Sequence, residues 1–316
     1  MSEQLEDDPG AALRRARRRR TGLTLTVLGL LALVAAGYAV YRELASRKTP
    51  PPEEAIAAHS EALRALRRDD VASLRAAEAQ LEQVTTQWPA FAEARVTHLA
   101  AVLFQLEDVK IRIERVTEDS NARAVEIQRL KERQEPADWE NRVNALVDEL
   151  AALKAEGDPL VEEATALDAR VNALRRDLQT GPLTLHPDDE VQLVRAQALY
   201  AGVKGSDQVL VLAERYRNLG GTDGWGEVAH AEYALNARVA PETRRQARAA
   251  LETLRGTDSA WTRLYVMVGR LALRDSDFDA AVTSFESALT LNPQHHTARR
   301  LLEQARKKRA AASAQP

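Results

Sequence analysis

Six histidines, no cysteine and a large stock of carboxylates set the chemistry open to this chain. His59, His98, His186, His230, His295 and His296 stand at no recognised metal-ligand spacing such as HExxH. Without cysteine there is no disulfide, thiolate metal site, cysteine nucleophile or lipid-modified N-terminal cysteine. His295-His296 opens a helical pattern, where surface histidines are ordinary. His186-Pro187-Asp188-Asp189-Glu190 reads as a helix start, with proline and carboxylates at the positive end of the dipole. Leu219-Gly220-Gly221-Thr222-Asp223-Gly224-Trp225-Gly226 follows a helical pattern and lacks phosphate-binding spacing, so it reads as an inter-repeat loop. The Asp and Glu side chains lie on charged helical faces, where no pair stands out as general acid and base. The expectation is a protein that is not an enzyme, with no catalytic residue, cofactor or metal site.

The elements that would position any site are helical. The chain of 316 residues is 45% apolar but only 4% aromatic, with 14 glycines, and Ala, Leu, Glu and Arg dominate. That mixture predicts an all-α fold and argues against sandwiches, barrels and Rossmann sheets. A net charge of −3 conceals segregation: residues 1–48 carry 9 basic and 5 acidic groups, and residues 49–316 carry 35 and 42.

Thr21 to Tyr41 holds 21 residues without a charge, enough for a helix of about 31 Å against a ~30 Å hydrocarbon core. Six arginines lie in Arg14–Arg20 just before it, and Tyr38 and Tyr41 sit at its far end. The positive-inside rule predicts a basic cytoplasmic tail (1–20), a transmembrane helix (21–41) and an exported remainder, at an inner membrane with the C-terminal domain in the periplasm. A cleaved signal peptide would have a shorter apolar core, although Ala35-Ala36-Gly37 offers small residues for cutting. Next to an apolar helix the arginine run reads as a topology anchor, so no nucleic acid is expected as partner. Residues 42–53 form a linker, stiffened by Pro50-Pro51-Pro52.

In Leu264–Pro293, LYVMVGRLALRDSDFDAAVTSFESALTLNP, two amphipathic helices meet at an Asp-Ser-Asp turn. Tyr265, Val268 and Gly269 mark the first helix; Phe278, Ala281, Phe285, Ala288 and Pro293 mark the second. This segment resembles a tetratricopeptide (TPR) repeat, with Ala272 where the family pattern usually has tyrosine. Ala247, Leu251 and Leu254 stand 34 residues before Ala281, Phe285 and Ala288. Ala77, Leu81, Val84 and Pro89 reproduce the same offsets near the start, and Leu199, Leu212, Tyr216 and Leu219 form a weaker copy. The resemblance implies an α-solenoid in two blocks, 54–106 and 188–309, the second ending in a polar capping helix, with a disordered tail over 310–316.

Between the blocks, Leu99, Val102, Leu106, Val109, Ile113 and Val116 recur at spacings of three and four. So do Leu160, Ala164, Leu167, Val171, Leu174 and Leu178, with a shorter seam at Val143, Leu146, Leu150 and Leu153. Residues 107–180 are therefore expected to form an inserted coiled-coil hairpin, with an outgoing arm near 99–135. The returning arm should be in two pieces, broken at Gly157-Asp158-Pro159. Residues 107–178 hold 18 acidic and 12 basic groups, so the hairpin also reads as an acidic docking arm or a route to self-association.

TPR arrays bind partner segments in a concave groove. Carried onto this sequence, the resemblance marks Asn236, Arg263, Arg270, Arg300, Gln304 and Lys307 as a groove for an acidic peptide or C-terminal carboxylate. The expected partners are proteins: subunits of a bacterial envelope complex for which this chain is a membrane-anchored scaffold or assembly factor. The alternative is a periplasmic chaperone adaptor holding exported clients.

Overall fold

The computed structural model describes residues 50–134, 137–180 and 189–314. The chain divides into two units, Met1–Pro50 and Pro51–Pro316. The apolar span 21–41 lies outside the described residues, and among those described no helix is long and apolar enough to cross a membrane.

Within the second unit the fold is all-α. Eleven described helices follow one another: α1 (Glu53–Arg68), α2 (Val71–Gln87), α3 (Ala92–Arg133), α4 (Trp139–Gln179), α5 (Glu190–Val203), α6 (Gln208–Asn218), α7 (Trp225–Asn236), α8 (Pro241–Thr257), α9 (Thr262–Arg274), α10 (Phe278–Leu291) and α11 (His296–Ser313). Local signals place the boundaries. Asp70 accepts the Ser73 backbone N–H (2.9 Å) to start α2, and Asp277 does the same for Ala280 at α10. Pro241 opens α8 at a position where its missing N–H costs nothing. Asp69 and Gln134 end α1 and α3 in left-handed conformation.

Each helix packs on its neighbour as an antiparallel pair, and the first helices of successive pairs pack in the order α1, α3, α5, α7, α9. Helix α9 then returns to α1, so the row of inner helices closes on itself. This closure explains why α3 is buried nearly all round from Ala94 to Leu106: it has neighbours on every side. Close crossings need small residues. A Cβ on Gly269 would lie 2.5 Å from the Phe285 ring, and one on Gly202 would lie 2.3 Å from the Ala229 carbonyl oxygen. Ala281, Phe285 and Ala288 are fully buried where the repeat pattern places them, and Pro293 follows the end of α10.

The structure differs from the sequence-based expectation in four places. Helix α3 runs through residue 106 without a break, so the repeat-like start and the outgoing arm are one helix. Helix α4 is also continuous, with Pro159 inside it. Pro159 and Ala155 both face solvent, so water can take the Ala155 carbonyl that the proline cannot satisfy. Gly157 sits instead against Val116, 3.2 Å from where its Cβ would be, as a packing residue of the hairpin. The last helix continues to Ser313 across the expected tail, carried by Ala310, Ala311 and Ala312. His295 is buried rather than on the surface: its Nδ1 accepts the Ala298 backbone N–H as the cap of α11.

Two apolar clusters hold the hairpin. Val109, Val116 and Leu160 form one, and Ile127, Leu130 and Val143 the other. Between them Arg123 donates to Glu149 (2.5 Å) across the polar interruption of the seam.

Candidate functional site

Arginines concentrate on the inner face of the closed row, and their partners sort them into three environments. Arg263 of α9 is 5% exposed and lies over the Phe104 ring, 3.7 Å from its centroid. Its Nη1 donates to Asp69 Oδ1 (2.7 Å), its Nε to Glu232 Oε1 (3.0 Å), and its Nη2 also reaches Glu232. Two turns on, Arg270 donates to Glu107 (2.8 Å), and the Asn236 amide lies 3.3 Å from Glu107 and 3.4 Å from Glu232. Burial would raise the Glu107 carboxyl, but Arg270 and Arg263 more than offset it and hold the group below its ordinary value. Glu232 is raised by burial, with Glu107 adding repulsion against the pull of Arg263. Burial also opposes the charge on Asp69, and Arg263 and His295 reverse that effect.

Hydrogen bonds beside this cluster fasten the two ends of the row together. Asn292 donates to the Arg68 carbonyl (2.9 Å) and to Asp70 (2.7 Å). Thr297 donates to Asp108 (2.6 Å), and His295 Nε2 lies 3.5 Å from Asp69. The α1–α2 turn and α3 therefore occupy the face expected to receive a partner peptide.

Arg195 of α5 defines the second environment. It is fully buried, 4.2 Å from the centroid of Trp225, and donates to Thr97 (2.9 Å). Thr97 spends its own proton on the Glu93 carbonyl, so His59 Nε2, 3.0 Å away, is the donor to Thr97. Asp223 stands 3.8 Å from the guanidinium. Burial, followed by the nearby Arg195 charge, brings the His59 pKa down to about 4 and keeps the ring neutral.

The third environment is an open cleft of about 350 Å³ between α3, α9 and α11. Arg270, Arg274, Arg300, Gln304, Lys308 and Arg115 supply its donors, and Glu114 and Glu118 stand on the α3 side. Arg270 is held by Glu107 and Arg115 by Glu156. Among the described residues Arg274, Arg300 and Lys308 form no hydrogen bond or ion pair. The Arg115 Nε is buried without an acceptor. Partial burial lowers the pKa of both Arg274 and Arg300, and the neighbouring Arg270 and Arg115, respectively, lower it further, against the weaker pull of Glu114 and Glu107 on Arg274 and of Asp108, Glu118 and Asp119 on Arg300.

Of the six residues carried from the repeat resemblance, the structure brings Arg270, Arg300 and Gln304 to one cleft. Arg263 and Asn236 belong to the internal cluster, which corrects the reading of Arg263 as a free groove residue: three buried carboxylates claim that face. Lys307 is exposed outside the cleft, whose lining takes Lys308. Arg115, Arg274 and Lys308 were missed, although Arg300, Gln304 and Lys308 at four-residue spacing mark one face of a helix. Among the described residues no group of three histidines or carboxylates is placed to hold a metal ion. Comparison with family models, curated proteins and solved structures returns no match to this chain.

Proposed function

We propose that this chain is a non-enzymatic scaffold or assembly factor of a bacterial envelope complex. On this reading the 21–41 span anchors it, a TPR-like array of helix pairs forms its body, and partners dock on the outer part of the α3–α4 hairpin. The supporting observation is the hairpin itself. Helix α3 has 42 residues, roughly 63 Å of rise, and its outer portion is packed only through the small cluster of Ile127, Leu130 and Val143. Val125 (69% exposed) and Val147 (48% exposed) are apolar side chains left in solvent on this outer arm.

Charge is the weaker attraction there. Nearer the base of the hairpin Glu163 pairs with Arg75, Glu156 with Arg115 and Asp168 with Lys204. Residues 120–155 carry 7 acidic and 6 basic groups, so the tip is close to neutral. The test is in-cell crosslinking and capture from membranes with wild type and with V125E/V147E, whose exposed positions tolerate the change. Loss of a small, defined set of membrane partners supports docking at the tip. An unchanged set removes it, and sedimentation of the purified chain shows whether the partner is a second copy.

One observation favours the chaperone-adaptor alternative. A cleft of about 500 Å³ beside α5 and α6 is lined by Tyr200, Ala201, Val211 and Leu212, with Val211 70% exposed. V211E would then release a broad set of exported proteins and leave the hairpin's partners in place.

A further inference from the structure

We propose that the cleft between α3, α9 and α11 is a binding site for a phosphate monoester, held by Arg274, Arg300 and Lys308 with Gln304. The argument starts from what these side chains lack. Every buried arginine of the inner cluster has a carboxylate within 3.0 Å, whereas Arg274, Arg300 and Lys308 form no hydrogen bond or ion pair among the described residues. They are also crowded by cations that already have partners: Arg270 beside Arg274, and Arg115 beside Arg300. Five cations line the cavity against the two carboxylates Glu114 and Glu118, and an anion entering it relieves the excess positive charge.

The arrangement suits a phosphoryl group. Arg300, Gln304 and Lys308 project from one face of α11 over about 12 Å, and Arg274 comes from the end of α9. Guanidinium forks match phosphoryl oxygens in pairs, and a phosphate monoester offers three such oxygens and close to two charges. The volume of about 350 Å³ is that of a small-molecule site. Glu114 and Glu118 on the opposite wall are acceptors, which favours an ester whose remainder carries hydroxyl donors over a bare ion. Free glycerol phosphate has this chemistry; phosphatidic acid, whose glycerol hydroxyls are acylated, shares the phosphate monoester alone. The site lies on the helical body and does not depend on what the hairpin tip binds.

The experiment titrates the full chain in maltoside micelles with glycerol phosphate, followed by calorimetry and thermal melting at matched ionic strength. A parallel arm uses micelles containing phosphatidic acid or, as control, phosphatidylcholine. Wild type should bind saturably, R274Q/R300Q should weaken binding by more than about tenfold, and K307Q on the same helix should bind as wild type. Binding of soluble glycerol phosphate identifies a free ester as sufficient; binding only in phosphatidic acid micelles identifies the lipid headgroup. Without ligand, R274Q/R300Q should melt close to wild type, because it breaks no hydrogen bond or ion pair among the described residues. No saturable binding in either arm overturns the proposal. So does equal binding by wild type and R274Q/R300Q, or a ligand-free variant that melts well below wild type.

Discussion

Arg263 and Arg300 lie on helices packed near one another, and the difference between them is where their anions come from. Arg263 is supplied from within by Asp69 and Glu232, so it joins the first turn of the body to the seventh and ninth helices. Arg300 faces an open cleft with no internal acceptor. Arg195 stands between these cases, fully buried among Thr97, Gln192 and Trp225, with its nearest carboxylate at 3.8 Å. The lesson is that an arginine-rich inner face is not by itself a binding groove. A closed row of helices consumes most of its own charges, and only the residue left unpaired is free for a ligand.

The strongest way to break this comparison is to remove the internal cation. Arg263→Met leaves Asp69 and Glu232 buried without their partner and should destabilise the fold by about 3–5 kcal/mol in denaturant melts. A small effect would mean that the cluster is solvated and that Arg263 is as available as Arg300.

Acid should next separate Arg195 from the carboxylate-backed arginines. Burial, with nearby cations (Arg195 at His59, Arg170 at His98), lowers both histidines from their ordinary 6.5 to about 4. Their contribution to stability is complete above pH 6.5 and is lost as pH falls towards 4, on the order of 3 kcal/mol for each. His59→Gln, which keeps a donor for Thr97, should remove the His59 share of the pH dependence in that window. An unchanged pH profile would show that His59 is not held neutral beside Arg195.

Smaller effects sharpen the account of closure. Asn292→Ala removes the bonds to the Arg68 carbonyl and to Asp70 and should cost about 1–3 kcal/mol, read as a lower Tm. Its hydrogen exchange should quicken first in the α1–α2 turn; exchange that quickens only in α10 would place the closure elsewhere. The smallest expected change is at Arg274→Gln, within about 0.5 kcal/mol of wild type, since it breaks no internal contact.

Helix periodicity carried most of the fold. The three-and-four spacing from Leu99 to Val116 and from Leu160 to Leu178 placed both arms of the hairpin, and Gly269 with Phe285 placed one close helix crossing. What misled was local chemistry weighed without tertiary context. Gly157 and Pro159 look like a break, yet one is a packing residue and the other faces water. The closure could not be read, because Asp69, Asn292 and His295 are ordinary turn and cap residues until residues about two hundred positions apart meet. For the same reason Arg263 and Arg300 look equivalent in the sequence: nothing local tells which one the fold has already paired.

Arginine-selective modification with phenylglyoxal, mapped residue by residue by mass spectrometry on the native full chain, tests that distinction most directly. Arg274 and Arg300 should react early, and Arg263 and Arg195 only on unfolding. Early modification of Arg263 together with Arg300 would contradict the account and return the inner face to the role of an open groove.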